Sequence, residues 1–441
     1  MDDAGTVVSG SLLVRDGVIA ALGAGVPGTL AMLPEGRADE SFDARGGFVL
    51  PGFVQAHLHL CQTLFRGLAE HSDLLRWLAE RIWPLEAAHT EASIAASARL
   101  GLAELVAGGV TCVNDMGTVR HTEAIGTVLE ESGMRAVFGR ALMDRGAGVP
   151  PGLIEPAARS LEDALALAQR FDGAGGGRLR VSLAPRFILS CSDALWRDVA
   201  AAAEAKRLLV HTHVAESPAE GEAVKKAVRT SAARYFARRG VLSPRFVGAH
   251  GVWLDDAELG LIAKAGGALV HCPGANLKLG AGLADVRTWK RAGVRCGLGS
   301  DGAACNNRLD AFGDLGLAAG IARVKHPDEP LSAREILALA TREGARALEL
   351  GDSIGSLEVG KQADLVVVDA AGVHQAPNET EDPYVTLVHA ARAADVRLTM
   401  VAGRTLYRAG EWKTLDAPRV AAEARAEARA LVRRAELERV G

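Results

Sequence analysis

The sequence has few aromatic residues, no closely spaced cysteine pair, no long apolar run and no marked excess of charge. Each shortage excludes something. Phe, Trp and Tyr make up only 4% of 441 residues, too few for the stacking platform of a single-strand nucleic-acid binder. Fifty basic against 54 acidic residues leave a formal charge of −4, so the electrostatic footprint of a nucleic-acid partner is missing. The six cysteines, Cys61, Cys112, Cys191, Cys272, Cys296 and Cys305, form no C-x-x-C pair, which argues against a zinc ribbon or a dithiol redox motif. No apolar run reaches the ~18 residues of a membrane span. The opening Met1-Asp2-Asp3-Ala4-Gly5 carries neither the basic nor the apolar part of a secretion signal. Scattered cysteines in such a chain point to a reducing, cytoplasmic setting. The letters G-x-G-x-x-G occur at 23–28 and 297–302, but neither stands as the phosphate loop of an early strand–helix unit that a nucleotide-binding open sheet would show, and G-x-x-x-x-G-K-[ST] does not occur.

What is present is alternation. Eight short apolar runs, Phe48–Leu60, Val110–Met116, Arg135–Leu142, Leu179–Arg186, Leu208–Glu216, Phe246–Leu254, Ala268–Asn276 and Val294–Asp301, read as strands. Segments of helical spacing such as Glu91–Ala107 and Leu161–Phe171 lie between them. Eight strand–helix repeats predict an α/β fold, a (β/α)8 TIM barrel, which alone takes roughly 250 residues. The flanks are β-rich. Ser11–Ala20 reads as a hairpin about Asp16-Gly17, and Ala363–Asp369 and Leu398–Arg404 as further strands. The expected organisation is a small β-sandwich from residues 1–47 and 361–412, a barrel over 48–360, and a charged, solvated surface helix within 413–441.

Histidines and acids gather at the ends of the barrel runs. His57 and His59 stand two apart at the end of the first, and side chains two apart on a strand share a face. His211 and His213, with Glu216 three positions on, end the fifth. His250 ends the sixth, in Gly248-Ala249-His250-Gly251, and Asp301 the eighth, in Gly299-Ser300-Asp301-Gly302. Singly, Asp301 would pass for a helix cap and His211 for a core histidine. Four strand ends converging on the face where barrels place their chemistry point instead to a divalent metal with N and O ligands, zinc or iron.

This ordered set resembles the amidohydrolase superfamily, in its branch of N-heterocycle aminohydrolases and chlorohydrolases. The matching motifs are Pro51-Gly52-Phe53-Val54-Gln55-Ala56-His57-Leu58-His59, His211–Glu216, Ala249-His250-Gly251, His271-Cys272-Pro273 with Asn276, and Gly299-Ser300-Asp301-Gly302; Gly355–Val366 resembles the family's return from barrel to sandwich. The resemblance implies one metal on His57, His59, His213 and Asp301. His213 is chosen over His211 because the family's strand-five ligand lies three residues before its catalytic glutamate, here Glu216. Binuclear relatives carry a carboxylated lysine on the fourth strand, and Leu179–Arg186 has none, which favours a single ion, zinc before iron. The implied chemistry is hydrolytic deamination. The metal makes hydroxide available near neutral pH, Asp301 takes the water proton, His250 orients the nucleophile, and Glu216 protonates the ring nitrogen. Ala275 and Gly251 depart from the serine and cysteine common at those positions.

Substrate is read from the loops. Leu64–Glu86 resembles the segment after strand one in S-adenosylhomocysteine and methylthioadenosine deaminases, where the glutamate matching Glu86 binds ribose hydroxyls. The other reading makes Glu86 a helix cap and Trp77 and Trp83 packing residues. Arg186, in Pro185-Arg186-Phe187, matches an arginine that reads a purine carbonyl in guanine deaminases; otherwise it pairs with a structural carboxylate. Gln62 suits a ring edge or a loop backbone. The expected substrate-binding residues are Glu86, Arg186, Gln62 and Trp83, and the expected substrate is a small adenosine-type compound. The alternatives are a free oxopurine or pterin, an s-triazine losing chloride and, remotely, a non-catalytic scaffold. No nucleic-acid or membrane partner is expected; homo-oligomers are common among such relatives.

Overall fold

The computed structural model describes residues 1–24, 38–70, 73–377 and 382–436. The expected hairpin is present as β1 (Ser11–Arg15) and β2 (Val18–Gly23), antiparallel, about Asp16 and Gly17 at φ 51° and 80°, the left-handed pair that a tight hairpin requires. β3 (Phe48–Pro51) and β4 (Phe53–His59) follow. Next come β5 (Val110–Asp115), β6 (Arg135–Leu142), β7 (Leu179–Pro185), β8 (Leu209–Val214), β9 (Phe246–His250), β10 (Ala268–His271), β11 (Arg295–Leu298) and β12 (Asp301–Gly302). The last four are β13 (Leu365–Val368), β14 (Val396–Val401), β15 (Arg404–Arg408) and β16 (Glu411–Trp412).

Nine strands form one parallel sheet in the order β11-β10-β9-β8-β7-β6-β5-β4-β12. β11 and β12 stand at opposite ends of that order, yet only Gly299 and Ser300 separate them in the chain. The sheet therefore curls round until its ends meet. A second, antiparallel sheet has the order β16-β15-β14-β13-β3. The ribbon β1–β2 packs on it through a small core containing Ile19, Leu357, Leu365, Val367 and Leu398.

Two expected runs are broken. Phe48–Leu60 is not one barrel strand: β3 pairs with β13 in the antiparallel sheet, and β4 with β5 in the parallel one. The chain crosses at Gly52, where a Cβ would lie 2.1 Å from the Thr111 side chain. Val294–Asp301 is interrupted at Gly299, whose Cβ position is 2.6 Å from the His57 carbonyl oxygen. Other runs end early. β8 stops at Val214, β9 at His250 and β10 at His271, although the apolar sequence goes on. Ala215 (φ 48°), His250 (75°) and Asp301 (61°) turn into the left-handed region at these ends. Pro273 opens the helix Pro273–Lys278.

The main core lies between the parallel sheet and its helices, with Phe53, Leu58, Phe138, Leu183, Trp196 and Phe246 fully or almost fully buried. Each such side chain contributes ~1.5–3 kcal/mol. The antiparallel sheet is fastened to this body by a buried bidentate pair, Arg135 Nε to Asp364 Oδ2 at 2.7 Å and Nη2 to Oδ1 at 3.0 Å. Thr399 Oγ1 donates to the Val106 carbonyl and Trp412 Nε1 to that of Ala103, both at 2.7 Å.

The terminal helix differs from the expected solvated helix. It runs Ala417–Arg434, capped by Asp416, and buries Val420, Ala424 and Leu431. Its Arg434 Nε donates to the Ala88 carbonyl at 2.8 Å. Its apolar residues recur on one face and dock it on the body; the charge lies on the others. Residues 437–441 of that expected helix lie outside the described residues. No helix among the described residues is long and apolar enough to cross a membrane.

Candidate metal centre and substrate cavity

Period-two spacing brings His57 and His59 to one face of β4, and β8 and β12 supply His213 and Asp301. One ligand atom from each lies within 4.8 Å of all the others. Asp301 Oδ1 is 3.3 Å from His57 Nε2 and 3.5 Å from His59 Nε2; the Nε2 atoms of His59 and His213 are 3.1 Å apart. Tetrahedral zinc with ~2.1 Å bonds separates its donors by about 3.4 Å. The other nitrogen of His213, Nδ1, donates to the Arg186 carbonyl at 2.8 Å, so its Nε2 is a bare lone pair aimed at His59. Such nitrogens at this separation repel unless a cation or proton lies between them. Burial pushes all three imidazoles down, His59 and His213 well below the usual histidine range. That keeps them neutral, the state in which imidazole binds a metal. The donor set fits a divalent ion.

Three of the four donors are positioned by partners, as metal ligands require, while Nδ1 of the fourth, His59, is buried without one. His57 Nδ1 shares a 2.8 Å hydrogen bond with His211 Nε2, so the structure places His211 behind His57 and His213 among the four. Gln55 Oε1 accepts from the Ser300 amide at 2.7 Å, and Asn306 Nδ2 donates to the Ser300 carbonyl at 2.9 Å. Together they fix the break that presents Asp301.

His250 and Glu216 stand beside this group. His250 Nδ1 donates to Asn276 Oδ1 at 2.9 Å. Its Nε2 then faces Glu216 Oε2 at 3.6 Å and Asp301 Oδ2 at 3.7 Å, just beyond direct hydrogen-bond distance. Burial, reinforced by the Asp301 and Glu220 charges, holds the Glu216 carboxyl well above the usual range. Sequence reasoning missed Glu220, whose Oε2 accepts from the Glu216 amide at 2.6 Å. The available signal was a glutamate four residues after Glu216, in the first turn of Pro218–Val228.

A cavity opens over these groups. Leu74, Trp77 and Leu78 form an apolar wall, and Gln62 and Arg186 face them. Of the four residues expected at the substrate, Gln62 and Arg186 line this cavity; Glu86 and Trp83 do not. Glu86 is buried and taken up by protein donors. Arg186 Nη1 meets its Oε2 at 2.5 Å and Nη2 its Oε1 at 3.0 Å, and Gln62 Nε2 donates to Oε1 at 3.0 Å. Burial works against the Arg186 charge, but Glu86 outweighs it and raises the guanidinium pKa. Gln62 Oε1 is a buried acceptor without a partner. Trp83 is buried, also with an unpartnered ring nitrogen. Trp77, on the wall, donates its ring N–H to the Ala69 carbonyl at 3.0 Å.

Known proteins resemble this chain over most of its length. A 5'-deoxyadenosine deaminase of Methanothermobacter thermautotrophicus is 35% identical over 415 residues, 94% of this chain and 93% of its own. A 5-methylthioadenosine/S-adenosylhomocysteine deaminase of Haloarcula marismortui is 36% identical over 411 residues, 93% and 91% of the two chains. The crystal structure of an adenosine deaminase from Xanthomonas campestris, with bound zinc, superposes with a TM-score of 0.87 at 30% identity, covering 95% of this chain and 93% of that one. The Amidohydrolase family profile matches residues 48–406, from β3 to within β15, and the chain belongs to the amidohydrolase family.

Proposed function

We propose that this chain is a metal-dependent hydrolase of C–N bonds that deaminates an adenosine-type compound: S-adenosylhomocysteine, methylthioadenosine or adenosine. The observation that carries it is the meeting of His57, His59, His213 and Asp301 within 4.8 Å, beside a buried Glu216 and a fixed His250. The relatives' names supply the substrate class. The fold is read as a (β/α)8 barrel, with β11 and β12 as one strand broken at Gly299. Strands β1–β3 and β13–β16 make an accessory β-sandwich.

His57, His59, His213 and Asp301 would hold one ion, zinc before iron, since three imidazoles and a carboxylate suit both. When bound, it supplies a water acidic enough to lose its proton near neutral pH. Asp301 accepts that proton at Oδ2, the oxygen facing His250. His250 Nε2 accepts a hydrogen bond from the attacking water and so orients it. Glu216 delivers a proton to the ring nitrogen next to the attacked carbon, which lets the ring take up the developing charge. Carbon–oxygen bond formation is followed by cleavage of the exocyclic C–N bond: the proton held on Asp301 passes to the departing amino group, which leaves as ammonia, and the new hydroxyl gives up its proton to restore Glu216 as the ring carbonyl forms. The apolar wall of Leu74, Trp77 and Leu78 excludes competing water from the ring.

A second reading has its own observation. Glu86 is engaged by Arg186 and Gln62, while those two line the cavity. The guanidinium donates and the free Gln62 Oε1 accepts, which suits a ring carbonyl beside an N–H, as in an oxopurine or pterin. Ammonia release from the zinc-loaded chain decides between them, with adenosine, methylthioadenosine, S-adenosylhomocysteine, guanine and 8-oxoguanine in parallel. Turnover of the nucleosides is expected. Activity confined to the oxopurines would transfer the proposal to the second class. Chloride release from a chlorotriazine, with no ammonia from any of these compounds, would overturn both.

A further inference from the structure

Beside the four-residue group lies a second donor set that the proposed reaction does not use. One ring nitrogen of His57, one of His250 and the sulfur of Cys272 also lie within 4.8 Å of one another, all three residues buried. β10 ends at His271, whose ring turns to an edge contact with Trp289; Cys272, the next residue, turns inward to the histidines. The Nε2 atoms of His57 and His250 are buried without hydrogen-bond partners. The Cys272 thiol has only a 3.6 Å approach to the Val270 carbonyl. Two unpartnered imidazole nitrogens and a thiol thus meet at one buried point.

The two sets differ in chemistry and overlap in one residue. Three nitrogens and a carboxylate oxygen suit a borderline ion, whereas two nitrogens and a thiolate favour a softer one. His57 belongs to both. Its Nδ1 is held by His211 at 2.8 Å, so Nε2 is its free donor and cannot serve two ions independently. We propose that His57, His250 and Cys272 form an alternative site for a thiophilic cation, cadmium being the probe, and that filling it excludes hydrolysis. Binding exchanges the Cys272 thiol proton for a metal–sulfur bond and releases the proton to solvent, with no change of oxidation state. The ion withdraws His57 from the first set and His250 from the attacking water. The inhibitory part rests on the hydrolase reading above; the binding part does not.

The test is a cadmium titration of the full-length, zinc-loaded protein, read by the ultraviolet thiolate-to-cadmium charge-transfer band and, separately, by ammonia release. One band equivalent per chain is expected, with turnover lost in step. In Cys272→Ser the band should disappear. Half-inhibition, measured against that variant's own cadmium-free rate, should need at least about tenfold more cadmium, the low end of what losing even an outer partner costs a metal site. Cys305→Ser, which removes a buried thiol outside the set, should keep the band. A Cys272→Ser protein with the full band and unchanged inhibition overturns the proposal, as does a wild-type protein that never shows a band. If Cys272→Ser does not fold, X-ray absorption at the cadmium edge of the wild type decides: one sulfur neighbour is expected, and a shell of nitrogen and oxygen alone overturns it. A band without turnover on any amino-heterocycle would sink the hydrolase reading and leave the site standing.

Discussion

At the metal end of the cavity every donor lies within two residues of the end of a strand. At the substrate end, Gln62 comes from a 3-10 turn (Leu60–Phe65), Glu86 from the helix Trp83–Ala87 and Arg186 from the residue after β7. Strand ends inherit their direction from the two-residue period of the sheet, so His57 and His59 had to face one point once β4 formed. Nothing periodic joins Gln62 to Glu86 across 24 residues or Glu86 to Arg186 across 100. Their partnership is chosen by side-chain charge in the folded molecule.

The strongest test of that contrast is to remove donors at the metal end. Asp301→Ala and His213→Ala should each lose stoichiometric metal and bring turnover to background, by metal analysis after dialysis. His211→Ala removes a partner of a ligand and should weaken metal affinity by roughly 10–100-fold. If His211→Ala strips the metal while His213→Ala retains it, the assignment of β8 is off by two residues.

Next in size is Glu216→Gln. It keeps the shape but cannot cycle a proton, so turnover should fall by about 10²–10⁴-fold with metal content unchanged. Metal lost together with activity would put Glu216 in the coordination sphere and break the division between ligands and proton carrier.

These two tests act on the part that was legible in the sequence. Two-residue spacing marked His57 and His59, and position at the ends of apolar runs marked His250 and Asp301, while only the family resemblance separated His213 from His211. The alternating runs pointed to the parallel sheet, and the Asp16-Gly17 pair to the hairpin. Two kinds of feature were hidden. One was where a strand stops inside an apolar run, as at Gly52 and Gly299, because a backbone crossing needs a missing Cβ rather than a polar signal. The other was a partnership between distant residues. Glu86 read as a ligand of ribose, yet Arg186 and Gln62 hold its oxygens, and the terminal helix read as solvated although Leu431 is fully buried.

The substrate end is tested by splitting stability from specificity. Glu86→Ala leaves the Arg186 guanidinium buried without its carboxylate, and breaking such a pair costs about 3–5 kcal/mol. Denaturant unfolding should show that loss, and kcat/KM should fall alike for nucleosides and free bases because Arg186 and Gln62 lose their anchor. The double variant Glu86→Leu, Arg186→Met should recover much of the stability, since a buried ion pair replaced by apolar residues is often neutral or better, without recovering activity. A Glu86→Ala protein of normal stability that fails only on nucleosides would restore the ribose contact and erase the distinction drawn between the two ends.

The smallest effect belongs to the terminal helix, which touches neither end directly. Asp416 caps it by accepting from the Arg419 amide at 3.1 Å, and losing such a cap costs about 1 kcal/mol. The helix lies over the segment that carries Gln62: Ala424 and Leu431 share a buried cluster with Phe65 and Leu85. His89 also ties that segment down, its ring nitrogens bonded to Ser93 Oγ at 2.8 Å and to the Cys61 carbonyl at 2.9 Å. Asp416→Ala should therefore lower global stability by about 1 kcal/mol and leave metal content unchanged, because β4, β8 and β12 do not depend on it. Any effect on the reaction should enter through KM, where Gln62 acts, and not through kcat. A change in kcat with KM constant would mean that the helix reaches the metal end after all, through the turn that follows His59, and that the two ends are coupled along Leu60–Phe65.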